Sequence, residues 1–231
     1  MSLIFPTHIT ALIGEAMTIK LIAMSPLYYH FLDKLGFTAH RKNLTIEAMT
    51  YYLYGEFLRN IMVPSAKLME YIHIMYPNYD QKDYCSIHLR FGGKLADVPV
   101  SKVFLNNNSV STILQCIKLL PNHYNLYVAS DSLVMKYRLK NELSEYNCIF
   151  SSNRTIPADT QMLKTNLVSY ATFSAVAELY ILGHGKQCIM TPGSTYSLAM
   201  CAMTGVRPIS IVSDKNMCDN STFGNEINFP V

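Results

Sequence analysis

The sequence predicts an α/β fold, a doubly wound and mostly parallel sheet preceded by a helical segment. Three observations carry that expectation. From residue 84 onward, short apolar runs of strand length alternate with longer amphipathic runs of helix length, the pattern of β/α units. Between residues 45 and 76, apolar residues instead recur at mixed three and four spacing. The composition, 50% apolar and 15% charged over 231 residues, supplies ample material for a core.

Residues 45–62, TIEAMTYYLYGEFLRNIM, and 64–76, PSAKLMEYIHIMY, read as a helix pair, with Pro64 at the start of the second. The polar break PNYDQKD at 77–83 puts a boundary near residue 80. Strands are expected at 84–91 (YCSIHLRF), 125–130 (NLYVAS), 148–152 (CIFSS), 187–190 (QCIM) and 207–213 (RPISIVS). The intervening helices fall at 110–121, 132–146, 166–183 and 194–205, and the last stretch, 214–231, looks irregular. Right-handed crossovers would make one sheet of these units, with ligand bound beyond the carboxyl ends of the strands.

Several function classes are disfavoured. The net charge is +3 and the 19 Lys and Arg are scattered, so there is no nucleic-acid footprint. Glu15, Lys20 and two prolines interrupt the apolar N-terminus, leaving neither a membrane-spanning run nor a convincing signal peptide. No Walker-type GxxxxGK[ST], no GxGxxG in the first unit and no His/Cys/Asp cluster of metal spacing occurs, so neither a metal nor a cofactor is expected. The six cysteines form no CxxC pair and mostly lie in apolar runs, which reads as free core thiols, with a disulfide as the alternative. Sequons at Asn43, Asn107, Asn153 and Asn220 suit a secretory lumen.

The residues just after each strand build the crevice of such a sheet. Arg90 closes the first strand and precedes two glycines; a guanidinium there can fork onto two phosphate oxygens, or pair with a surface carboxylate. His88 shares its face at period two, as a core histidine or a site residue. Ser130 and Asp131 follow the second strand; an acid at that point also suits the helix macrodipole. Ser151, Ser152, Asn153 and Arg154 follow the third. After the 187–190 strand, Gly193 frees the backbone to turn, and Ser194 and Thr195 offer hydroxyls and N–H groups at a helix N-terminus, as an anion cradle or an ordinary cap. Glu178 is the one formally charged residue between Lys164 and His184, so it is either exposed or paired; the side-by-side N–H donors of guanine would pair it. Together these residues suggest a nucleoside diphosphate held without metal.

The stretches 54-YGEFLRNIMVPS-65, 86-SIHLR-90, 110-VSTILQCIKLLP-121, 126-LYVAS-130 and especially 177-AELYILGHGKQCIMTPGSTYSLAMCAMTGVRP-208 are similar, in order, to the plant xyloglucan α-1,2-fucosyltransferase family. They are more distantly similar to other GDP-fucose-dependent transferases of the GT-B class. The resemblance implies that residues 81–213 are the Rossmann-like donor half of a GT-B glycosyltransferase, and that 1–80 is a helical remnant or linker from an acceptor domain. It implies inverting, metal-independent transfer of L-fucose from GDP-β-L-fucose to a glycan hydroxyl in the Golgi lumen. Arg90 would lie on the pyrophosphate as the catalytic residue, Ser194 and Thr195 beside it, and Glu178 on guanine. His88, Ser130, Asp131 and Gly193 would complete the donor site. A membrane anchor and most of an acceptor domain would be absent from this chain, and no general base is assigned, Asp97 being a nearby candidate. Pro192-Gly193 stands where the family has an aromatic residue, and Gly183-His184-Gly185-Lys186 replaces its polar turn. The alternatives are a non-catalytic nucleotide-sugar or glycan-binding module and an unrelated Rossmann-like structural protein.

Overall fold

The computed structural model describes residues 26, 29–34, 36–37, 44–76, 83–96, 100–122, 124–150, 165–212 and 217–219. In chain order the elements are α1 (Tyr29–Lys34), α2 (Ile46–Ile61), α3 (Ala66–Met75), β1 (Tyr84–Leu89), β2 (Gly92–Gly93) and β3 (Val100–Val103). They continue as α4 (Ser109–Ile117), β4 (Asn125–Ser130), α5 (Leu133–Glu142), β5 (Cys148–Phe150) and α6 (Thr165–Leu182). The last are β6 (Gln187–Met190), α7 (Thr195–Thr204), β7 (Ile209–Val212) and β8 (Met217–Asp219). The expected helix pair is present; each helix opens on a side-chain cap, Thr45 Oγ1 accepting Ala48 N–H and Ser65 Oγ accepting Leu68 N–H.

The main sheet runs β5-β4-β1-β6-β7-β8, parallel except for β8, which pairs antiparallel with β7. The parallel strands radiate from β1, β4 and β5 to one side and β6 and β7 to the other. This is the doubly wound, Rossmann-like order, and the chain reverses direction across the sheet between β1 and β6.

Period-two alternation sorts the strand residues onto two faces. Cys85, Ile87 and Leu89, with Leu126, Val128, Ile189, Ile209 and Ile211, face the core under α4 and α5. Tyr84, Tyr127, Ala129, Cys188 and Met190 face the other core, which α2, α3, α6 and α7 cover. Gly55 of α2 packs so closely on α7 that a methyl there would strike the Ala202 carbonyl. Arg59 Nη1 donates to the Ala202 and Met203 carbonyls at 3.2 and 2.6 Å, and Tyr51 Oη donates to Val206 O at 2.9 Å. The Arg59 bonds reach two of the last four carbonyls of α7, which a helix leaves without i+4 partners, and the Tyr51 bond ties down the turn that follows.

Three expectations change. Residues 217–219 of the tail form a strand, because β8 has the free edge of β7 to pair with. Cys116 and Cys218 are bridged across a sequence separation of 102, with Cα atoms 5.4 Å apart, tying α4 to β8. Cys85, Cys188 and Cys201 are buried free thiols as expected, and Cys148 is half-buried. The hairpin β2–β3 interrupts the first β/α unit; its glycines carry no side-chain pattern to announce it. Among the described residues, no helix is long and apolar enough to cross a membrane.

Candidate functional site

The carboxyl ends of β1, β4 and β6 bring Arg90, Asp131 and Thr191–Ser194 together at the point where strand order reverses. Such a crevice is where open α/β sheets bind ligands. The β1 and β6 ends are latched by Thr191, whose hydroxyl donates to His88 O at 3.0 Å and accepts Arg90 N–H at 3.1 Å. Asp131 Oδ1 accepts Phe91 N–H at 2.8 Å, and Oδ2 accepts Gly92 N–H at 3.0 Å. Oδ2 also lies 3.4 Å from Arg90 Nε, the Asp131 side chain being 2% exposed and that of Arg90 22%. The acid after β4 therefore staples the turn after β1, and it holds the guanidinium by one edge. The Nη groups make no hydrogen bond among the described residues.

The turn after β6 supplies the other wall. Gly193 sits at φ 73°, in the left-handed region that side-chain-bearing residues avoid. Ser194 caps α7, its Oγ accepting Ser197 N–H at 3.3 Å. The hydroxyl is thus engaged as an acceptor and retains its proton for donation. The N–H groups of Thr195 and Tyr196 are left without intrahelical partners by helix geometry, and the Thr195 side chain is exposed. A helix N-terminus with open donors beside an arginine is suited to an anion.

His88 lies beneath this surface. Its Nδ1 is 2.6 Å from Ser197 Oγ, which also accepts Thr191 N–H at 3.3 Å, and its ring lies 4.7 Å from that of Tyr196. Burial, then the charges of Arg90 and Lys136, lower its pKa to about 3, so the imidazole stays neutral. Ser197 Oγ keeps a second lone pair and its own proton, so it pairs with Nδ1 of the neutral imidazole in either tautomer. Ser130 is buried as well, its Oγ accepting Ser132 N–H at 3.2 Å, while Ser132 caps α5. His88, Ser130 and Asp131 thus shape the crevice from within, whereas Arg90, Gly193, Ser194 and Thr195 line it.

Glu178 is 9% exposed, so the exposed-helix-face alternative does not hold. Its charge, after burial, raises the hydroxyl pKa values of Tyr127 and Tyr196, which places it near the first turn of α7. Asp97 and residues 151–154 lie outside the described residues. Among the described residues, no group of three His, Cys, Asp or Glu side chains could hold a metal ion. A polar cleft of about 420 Å³ lies among Asn122, Tyr124, Asn125, Glu145, Tyr146 and Asn147, at the amino ends of β4 and β5. That is the opposite edge of the sheet, and the cleft has no cation in its lining.

Two residues absent from the sequence-derived site stand at the crevice. Phe104, following β3, has its ring centroid 5.9 Å from Arg90 Cζ and 4.7 Å from Lys102 Nζ. A Cβ built on Gly193 would lie 3.6 Å from Lys102 Nζ. The signal available in the sequence was slight, a Lys in an alternating Val-Ser-Lys-Val run after the Gly92-Gly93 pair.

No protein-family model matches the chain, and no curated protein matches it. Among solved structures, it is similar to Arabidopsis thaliana FUT1, in a mutant form in complex with GDP, at a TM-score of 0.47 and 17% identity. The match covers 70% of this chain and 37% of that one, so this chain spans little more than a third of that protein's length.

Proposed function

We propose that the chain binds GDP-fucose at the β1/β6 crevice and forms the donor half of an inverting, metal-independent fucosyltransferase acting on a glycan hydroxyl. The observation that carries this reading is Arg90, held edge-on by buried Asp131 beside the open N-terminus of α7. The sequence resemblance over 177–208 supplies the guanine and fucose. In this reading the site lies within 81–213, and 1–80 derives from an acceptor domain or linker. As the fucosyl bond breaks, negative charge accumulates on the departing β-phosphate, and a pre-positioned guanidinium stabilises it more than it stabilises the intact donor. The Cys116–Cys218 bridge and the exposed Asn107 sequon favour an oxidising lumen such as the Golgi.

A second reading, a nucleotide-sugar or glycan-binding module without catalysis, is favoured by one observation. Among the described residues, the crevice's titratable candidates for a base are committed, His88 to Ser197 and Asp131 to two backbone N–H groups and Arg90. Release of fucose to an acceptor or to water separates the two.

The binding test is a titration of GDP, GMP and UDP against wild type, Arg90→Ala and Arg90→Lys. Arg90→Ala should weaken GDP by about 3 kcal/mol and GMP by much less, and Arg90→Lys should recover little, because an ammonium cannot fork across two oxygens. Equal losses for GDP and GMP would remove Arg90 from the β-phosphate. Glu178→Gln should weaken GDP by about 1–3 kcal/mol while leaving UDP unchanged. Unchanged GDP affinity would take Glu178 off the base.

A further inference from the structure

The hairpin β2–β3 begins directly after Arg90 and folds back on it. Phe104 N–H donates to Phe91 O at 2.9 Å, which returns Phe104 to the end of β1. Its ring lies within 6 Å of both cations, and the Gly193 backbone closes the group from the β6 side, a Cβ there coming within 3.9 Å of Phe104 Cε1. Arginine, lysine and the positive end of α7 therefore converge on one mouth. Asp131, the carboxylate paired with Arg90, is already occupied by two backbone N–H groups and the guanidinium edge. Lys102 is exposed and makes no ion pair among the described residues, so neither core packing nor a described carboxylate accounts for its place. Converging like charges disfavour the empty site and favour an arriving anion.

We infer that Lys102 is a second phosphate-binding cation, which makes the crevice prefer a nucleoside diphosphate to a monophosphate. The inference rests on the nucleotide reading above. In that reading the N–H groups of α7 take the α-phosphate, which GMP shares, and Arg90 takes the β-phosphate, which GMP lacks. Lys102 meets the same β-phosphate on the Gly193 side of the ring, where an ammonium acts as a point charge and needs no forked geometry.

The test uses GDP and GMP as probes, titrated calorimetrically against the full chain and its Lys102→Gln and Lys102→Arg variants. Lys102→Gln should weaken GDP about tenfold and GMP less than about twofold, with an unchanged melting temperature, and Lys102→Arg should restore most of the loss. Equal effects on GDP and GMP, or none on GDP, would overturn the assignment. If Arg90→Ala removes the GDP preference while Lys102→Gln does not, Lys102 is wrong and the nucleotide site stands. If wild type binds no GDP, the nucleotide reading itself falls, and Lys102 with it.

Discussion

Replacing Asp131 with Asn changes almost no volume and tests how the crevice is held. The carboxylate accepts Phe91 N–H at 2.8 Å and Gly92 N–H at 3.0 Å, and touches Arg90 Nε at 3.4 Å. An amide has one oxygen. Turned toward Gly92 and Arg90, it leaves the Phe91 N–H facing an NH2 group; turned the other way, it abandons two donors. One stranded buried N–H costs about 1–3 kcal/mol. Losing the ionic partner of Arg90 adds about 1 kcal/mol at most, since that side chain keeps some solvent. Asp131→Asn should therefore destabilise the protein by about 3 kcal/mol. Urea unfolding followed by circular dichroism measures this, the chain having no Trp. GDP affinity should fall as well, by about tenfold, although in this reading Asp131 never touches the ligand. An unchanged urea midpoint would refute the staple. A lowered midpoint with wild-type GDP affinity would show that Arg90 is positioned by something else.

Protonation of His88 should link stability to pH. The unfolded imidazole titrates near its ordinary 6.5 and the folded one at about 3, so the unfolded chain takes up a proton that the folded protein refuses. Stability is full above 6.5 and falls as pH drops toward 3, by about 2 kcal/mol at pH 5. His88→Asn cannot titrate, so wild type should lose about 2 kcal/mol more than the variant between pH 7.5 and 5; identical losses would refute this. The Cys116–Cys218 bridge constrains the unfolded chain across 102 residues, and the double Ser variant should be about 2–4 kcal/mol less stable. Reductant should destabilise wild type alone; an equal response in the double variant would argue against the bridge.

The parallel strands were legible because buried strands read as short apolar runs: the QCIM and NLYVAS segments stand where the sequence puts them. A crevice beyond the carboxyl ends followed from their alternation with helices, and with it the residues after each strand, Arg90 and Gly193 among them, whereas the strand order that makes β1 and β6 neighbours did not. Less legible was which way a side chain faces. Asp131 reads equally as a helix-dipole acid or a ligand contact, and only the turn after β1 reveals it as a receiver of backbone N–H groups. Glu178 carries the same ambiguity, since a lone acid in an apolar helix does not say which neighbours cover it. Lys102 was missed because the glycines of β2 carry no pattern, and its approach to Gly193 depends on a hairpin returning over the strand end. The bridge was missed because no spacing rule links cysteines 102 residues apart.

The packing of α2 on α7 means that the cradle is anchored from its far end. Eight residue steps of helix, roughly 12 Å at 1.5 Å per residue, separate Thr195 from Met203, the farther of the two carbonyls that Arg59 grips. A helix behaves as a stiff strut over that distance, so a shift imposed at one end is delivered at the other. Gly55 sets how deeply the strut seats: a side chain there would strike the Ala202 carbonyl and push that end of α7 away from α2. A residue far from the crevice, contributed by the helical segment before the sheet, thereby sets where α7 sits.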